Sequence, residues 1–200
     1  MNQRPSLHRR LAAALLTLLA LAFAAPLPAG ESVVWKKVPG RELRLFIEKP
    51  AGWKATDRRT AVAFFFGGGW VGGTAEQFRF QSEALARHGA VGFRVEYRTV
   101  GKDGSAPPVE CCADAKSAIR WIRSHAPEYG IDPARIVGAG GSAGGHLAAF
   151  TALVEGLDDP ADDRSISCKP DALILFNPVL NNGPGQCGPT VGVRCVCRTK

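Results

Sequence analysis

Residues 61–66 read AVAFFF, six apolar side chains with no polar interruption. Successive side chains of a strand point to opposite faces. A strand built from this run must therefore be covered on both sides, as strands are in a parallel sheet layered between helices. Three glycines follow at once, so the run is too short for a buried helix. A sheet with one face in water is excluded. The chain on either side agrees. Arg41–Glu48 alternates polar and apolar residues and reads as a strand. Residues 74–88 are helical in character, and 90–97 (AVGFRVEY) form another strand. The clearest helix spans 109–126, with Ala115, Ala118, Ile119 and Ile122 on one face and Lys116, Arg120 and Arg123 on another. Pro127 and Gly130 end it. A short strand over 135–139, a helix over 144–155 and a last buried strand over 172–176 (ALILF) complete the pattern. Strands alternating with helices predict an α/β fold: a mostly parallel sheet with helices on both faces.

The chain has 200 residues, 46% of them hydrophobic and 22% charged, which fits a single globular domain and excludes a disordered or collagen-like chain. Its net charge of +7 resembles that of a nucleic-acid binder. The excess sits at the two ends: Arg4, Arg9 and Arg10 in 1–24, and Arg194, Arg198 and Lys200 in the tail, with no acid in either. The middle is nearly neutral and has no basic stripe for phosphates, so no nucleic-acid partner is expected.

Residues 1–24 read as a signal peptide. The three arginines precede an apolar run over 11–25, and Ala22-Phe23-Ala24 supplies a small-x-small cleavage pattern. The run is shorter than the roughly 18–20 residues that span a bilayer. A secreted or periplasmic protein with no stable membrane span after cleavage is expected; the alternative is an uncleaved anchor. Residues 181–200 break the pattern of the domain. They hold Cys187, Cys195 and Cys197, no acid and no sustained periodicity. Without a histidine these cysteines make a poor zinc site, so no metal is expected. Six cysteines in an exported chain permit disulfides, although adjacent Cys111 and Cys112 would be strained if bridged to each other. The tail reads as a foreign continuation of the kind a frameshift produces, which leaves 25–180 as a partial domain.

Two glycine-rich stretches carry the chemistry. Gly140-Gly141-Ser142-Ala143-Gly144 is a G-x-S-x-G pattern lying between a strand and a helix. On so sharp a turn the serine hydroxyl is pushed clear of the backbone, and the helix aims its free N–H groups at charge formed there. Gly67-Gly68-Gly69-Trp70 follows the AVAFFF strand. Backbone N–H groups can there approach a substrate oxygen without obstruction, at the carboxyl ends of the strands. A dinucleotide fingerprint, G-x-G-x-x-A over 138–143, competes for the first stretch. Its ribose-binding acid would be Asp158 or Asp159, which lie in the polar LDDPADD loop with no strand before them.

With FFFGGGWVGG, VEYR, DAKSAIRWIR, GIDPARIVGAGGSAGGHLA and ALILFNPVL in place from residue 61 to 180, the chain resembles the α/β-hydrolases of the esterase and lipase group, which includes hormone-sensitive-lipase-like and xylan-side-chain esterases. The resemblance implies that Ser142 is a nucleophile attacking an ester carbonyl. It implies that the backbone N–H groups of Gly68, Gly69 and Ala143 bind the oxyanion, and that no cofactor is needed. A small-molecule or polysaccharide-linked ester would be the substrate. Phe66 stands where the group usually carries histidine before the glycines.

One departure bears on activity. Serine needs a base, and in this fold an acid and then a histidine follow the nucleophile in the chain. After Ser142 the one histidine is His146, four residues on and inside the next helix. His88 and His125 end helices and read as solvated. Asp171 begins a strand at the wrong end of the sheet, and Asp114 reads as a capping or ion-pairing residue. The expectation is a serine ester hydrolase with its triad acid and histidine absent and its activity impaired. The alternative is a non-catalytic remnant or a ligand-binding pseudoenzyme.

Overall fold

The AVAFFF run lies at the centre of a six-stranded sheet. The computed structural model describes residues 30–101 and 108–180; the signal segment and the cysteine-bearing tail expected from the sequence lie outside them. The elements are β1 (Glu31–Val38), β2 (Arg41–Glu48), β3 (Arg59–Phe65), a 3-10 turn (Ala75–Phe78), α1 (Arg79–Arg87), β4 (Val91–Val95), α2 (Val109–Ser124), β5 (Ile131–Ser142), α3 (Ala143–Leu153) and β6 (Ala172–Pro178). The strand order is β1-β2-β4-β3-β5-β6. β1 and β2 are antiparallel to their neighbours, whereas β4, β3, β5 and β6 run parallel. The expected mostly parallel α/β sheet is thus observed.

The two faces of β3 are buried separately. Ala61, Ala63 and Phe65 enter the large core with Ile119 and Ile122 of α2 and Leu147 and Phe150 of α3. Val62 and Phe64 enter a smaller cluster with Phe78 and Ala139. Phe64 stacks on Phe78 with ring centroids 5.4 Å apart. Each fully buried phenylalanine contributes roughly 1.5–3 kcal/mol, which ties the middle of the sheet to both helical layers.

The chain leaves β3 toward β4 on one side and returns as β5 on the other. The carboxyl ends of β3 and β5 therefore meet at a topological switch point, where open α/β sheets bind ligands. Phe65 pairs with Gly140 in that register, so the turn after β3 and the turn after β5 are neighbours.

Four details differ from the sequence reading. β1 was not foreseen; its register shifts between Val34 and Lys36, which breaks the alternation that would have marked it. The strand read over 135–139 extends to Ile131–Ser142. β6, expected to be buried, is an edge strand with Ile174 37% and Phe176 42% exposed, because the described residues pair it only with β5. The polar side of α2 is covered as well: Lys116 and Arg120 are buried under residues 156–166. Arg120 reaches Asp158 at 2.6 Å and Asp162 at 2.8 Å. Asp159 reaches Lys36 at 2.6 Å. These ion pairs occupy the acids that a dinucleotide ribose would have needed.

Two further buried charge clusters brace the sheet. Arg94 of β4 donates to Glu48 of β2 through Nε at 3.0 Å and Nη2 at 2.8 Å. Ser82 of α1 donates to the same carboxylate. Asp114 takes the ion-pairing role: fully buried in α2, it accepts from Lys36 at 2.7 Å and from Arg98 Nη2 and Nε at 2.8 Å. Among the described residues, no helix is long and apolar enough to cross a membrane and no group of three or more His, Cys, Asp or Glu could hold a metal.

Candidate active site

Ser142 is the last residue of β5 and the N-cap of α3, with φ 52° and ψ −119°. A non-glycine residue rarely adopts a positive φ, and holding one there costs on the order of 1–3 kcal/mol. The surroundings enforce it. Gly144 lies so close to β3 that a Cβ there would land on the Phe65 and Phe66 carbonyls. The helix must therefore start hard against the sheet, and the chain turns within one residue. Ser142 is exposed while Gly141 and Ala143 are buried, so the turn presents the hydroxyl and little else. The Ser142 carbonyl accepts from Val179 N–H at 3.2 Å, which ties the turn to the end of β6.

The Gly67–Gly69 turn packs against this serine. A Cβ on Gly67 would sit 2.8 Å from the Gly141 carbonyl and 3.3 Å from Ser142 Cβ. Gly68 and Gly69 have φ 128° and 61°, a path closed to most side chains. Val71 and Gly72 N–H donate to the Gly68 carbonyl, each at 3.2 Å, and Val100 N–H donates to the Trp70 carbonyl at 2.9 Å. The structure thus brings together three sequence-predicted segments: Ser142, Ala143 at the first turn of α3, and the Gly68-Gly69 turn.

Behind them is a buried aromatic layer that sequence reasoning missed. Phe66 stacks on Tyr97 at 4.1 Å between centroids, and Tyr97 Oη donates to the Phe66 carbonyl at 2.6 Å. Burial pushes the Tyr97 phenol well above its ordinary value, so it remains a donor. Trp70, at φ 63°, meets the His146 ring edge-on at 5.1 Å. Gln77 accepts a hydrogen bond from Gly67 N–H at 2.5 Å. The alternation of AVGFRVEY carries a trace of Tyr97, whereas no pattern in the sequence marks Gln77.

The histidines lie elsewhere. His146 is buried within α3, and burial pulls its imidazolium down to about 4. His88 is exposed at the end of α1. His125, expected to be solvated, is half-buried because it stacks on Trp121 at 3.9 Å. Asp171 accepts from Ile136 N–H at 2.9 Å, at the start of β6. No described histidine or carboxylate hydrogen-bonds to Ser142. Cys111 and Cys168 are free thiols, and burial raises Cys111 to about 12, where it is inert as a nucleophile.

Comparison with known proteins gives a consistent picture. Residues 47–175 match the BD-FAE family. The chain is 29% identical over 136 residues to a probable isoprenylcysteine α-carbonyl methylesterase of Arabidopsis thaliana, covering 68% of this chain and 27% of that protein. It is 35% identical over 139 residues to the arylacetamide deacetylase of Rattus norvegicus, covering 66% and 32%. Among solved structures, Thermogutta terrifontis esterase 2 phosphorylated by paraoxon shares 49% identity at a TM-score of 0.74, covering 82% of this chain and 62% of that one. The chain thus spans about a third or less of these curated relatives and under two thirds of this solved neighbour.

Proposed function

We propose, for a chain that belongs to the BD-FAE family of α/β-hydrolases, that it is a serine-dependent carboxylic ester hydrolase working through an acyl-enzyme on Ser142. One observation carries the reading: the exposed Ser142, held at φ 52° between β5 and α3, with the Gly67–Gly69 turn packed against it. In this reading Ser142 Oγ adds to the ester carbonyl and its proton passes to a base. The carbonyl oxygen becomes an oxyanion held by the N–H groups of Gly68, Gly69 and Ala143. Collapse expels the alcohol, and water then releases the acid. The helix start at Ala143 adds its unpaired N–H groups to the same charge. Small-molecule esters are the substrate class, in keeping with the esterase and deacetylase names of the relatives. Polysaccharide-linked esters are a second candidate, from the xylan-esterase resemblance. The amino-terminal apolar run supports export from the cytoplasm.

The alternative reading is a non-catalytic, ligand-binding remnant. The two readings part on reaction with paraoxon, the reagent that phosphorylates the Thermogutta esterase. The ester hydrolase reading predicts one covalent adduct, on the tryptic peptide containing Ser142, absent in Ser142→Ala. A chain left unlabelled at millimolar reagent supports the remnant.

A further inference from the structure

The peptide bond between Phe66 and Gly67 is gripped from both sides. Its carbonyl accepts from Tyr97 Oη at 2.6 Å, and its N–H donates to Gln77 Oε1 at 2.5 Å. In a trans peptide these two groups point in opposite directions, so one side chain lies on each side of the bond. The two come from different layers. Tyr97 follows β4 and is fully buried in the large core, with its ring stacked on Phe66. Gln77 belongs to the 3-10 turn, which Phe78 anchors in the opposite cluster. The donor is a backbone N–H, so the amide of Gln77 has only one orientation that satisfies it.

The need for such a grip is local. Gly68 and Gly69 follow with positive φ and no side chains, so little in their own covalent structure fixes where their N–H groups point. Downstream, backbone hydrogen bonds from Val71, Gly72 and Val100 hold the turn. Upstream, the only hydrogen bonds to the 66–67 peptide within the described residues are those of Tyr97 and Gln77. Gln77 occupies the Gly67 N–H, which removes that group from the set available to a substrate oxygen and leaves Gly68 and Gly69.

We propose that Gln77 and Tyr97 are positioning residues: by fixing the plane of the 66–67 peptide from two layers of the fold, they aim the Gly68 and Gly69 N–H groups at an oxyanion formed on Ser142. The proposal rests on the reading of Ser142 as nucleophile. A misplacement of about 1 Å can cost ~100-fold in rate, so losing one of the two grips should cost about 10-fold or more.

The test combines an activity readout with a structural one, on the full chain. Ser142 phosphorylation by paraoxon is followed by p-nitrophenolate release: Oγ forms the new P–O bond, the aryl oxide leaves and the hydroxyl proton goes to the base or solvent. Exchange of the Gly67 amide is followed by NMR. Gln77→Met keeps the length of the side chain and removes the acceptor; Gln77→Glu keeps an acceptor; Tyr97→Phe removes only the hydroxyl. In Gln77→Met we expect faster Gly67 exchange and a limiting phosphorylation rate about 10-fold lower, with the half-saturating paraoxon concentration unchanged. Gln77→Glu should restore slow exchange and recover most of the rate, and Tyr97→Phe should lower the rate alone. The proposal is overturned if Gly67 exchange is unchanged in Gln77→Met, or if both Gln77→Met and Tyr97→Phe react within twofold of the unsubstituted chain. Failure of the unsubstituted chain to be phosphorylated overturns the nucleophile reading and this proposal with it, and differs visibly from failure of the grip alone.

Discussion

Lowering the pH should destabilise the fold through one side chain, His146 of α3. His146 is 2% exposed, between the rings of Trp70 and Phe150. Burial lowers its pKa from an ordinary 6.5 to about 4. Between those two values the unfolded chain binds a proton that the folded chain refuses. Stability therefore rises with pH across this window and is lost as pH falls through it, at about 1.4 kcal/mol per pH unit. Crossing the whole window removes about 3 kcal/mol, a large fraction of the 5–15 kcal/mol typical of domains. Asp57, Asp132, Asp158, Asp159 and Asp163 also bind protons less readily when folded. Their contributions are present above their ordinary 3.8 and disappear as pH falls below it, so they fall outside this window. The assay is urea unfolding at half-unit steps from pH 7.5 to 4.5, on the unsubstituted chain and on His146→Gln. With a urea slope of about 2 kcal/mol per molar, the unsubstituted midpoint should fall by about 1.5 M while that of His146→Gln stays nearly level. Equal pH slopes in the two proteins would refute the reasoning, because the protons would then be taken up elsewhere.

Two substitutions probe the sheet and the serine turn. Arg94→Met leaves the buried Glu48 carboxylate without its cation and should cost about 3–5 kcal/mol. Pairing it with Glu48→Met should recover most of that loss, as read from denaturant midpoints; equal loss in the double variant would show that the cost is packing. Ser142→Gly relaxes the residue at φ 52° and should raise stability by about 1 kcal/mol while abolishing phosphorylation. A destabilised glycine variant would mean that the turn is not strained.

The parts of the fold that were legible in sequence share one property: their burial follows a simple period. AVAFFF read as doubly buried because every position is apolar, and the structure puts Phe64 and Phe65 into separate clusters. The apolar stripe of α2 read correctly for the same reason. The misses lie where tertiary contact overrides the pattern. β1 escaped notice because a register shift at Trp35 interrupts its alternation. Lys116 and Arg120 looked like a wet face, yet residues 156–166 fold over them and supply carboxylates and carbonyls. β6 has the composition of a buried strand and the position of an edge, and composition carries no information about the neighbour a strand will have. At the site, Ser142 and the glycines were legible because a turn that tight admits few residues. Gln77 was not, and Tyr97 was legible only as part of a strand, because each holds a peptide 10 or 31 residues away in the chain. A side chain that holds a main-chain group needs only reach and one polar atom, a requirement many residues meet. The turn itself is therefore marked by its own few residues, while the side chains that bind the 66–67 peptide come from two other layers of the fold.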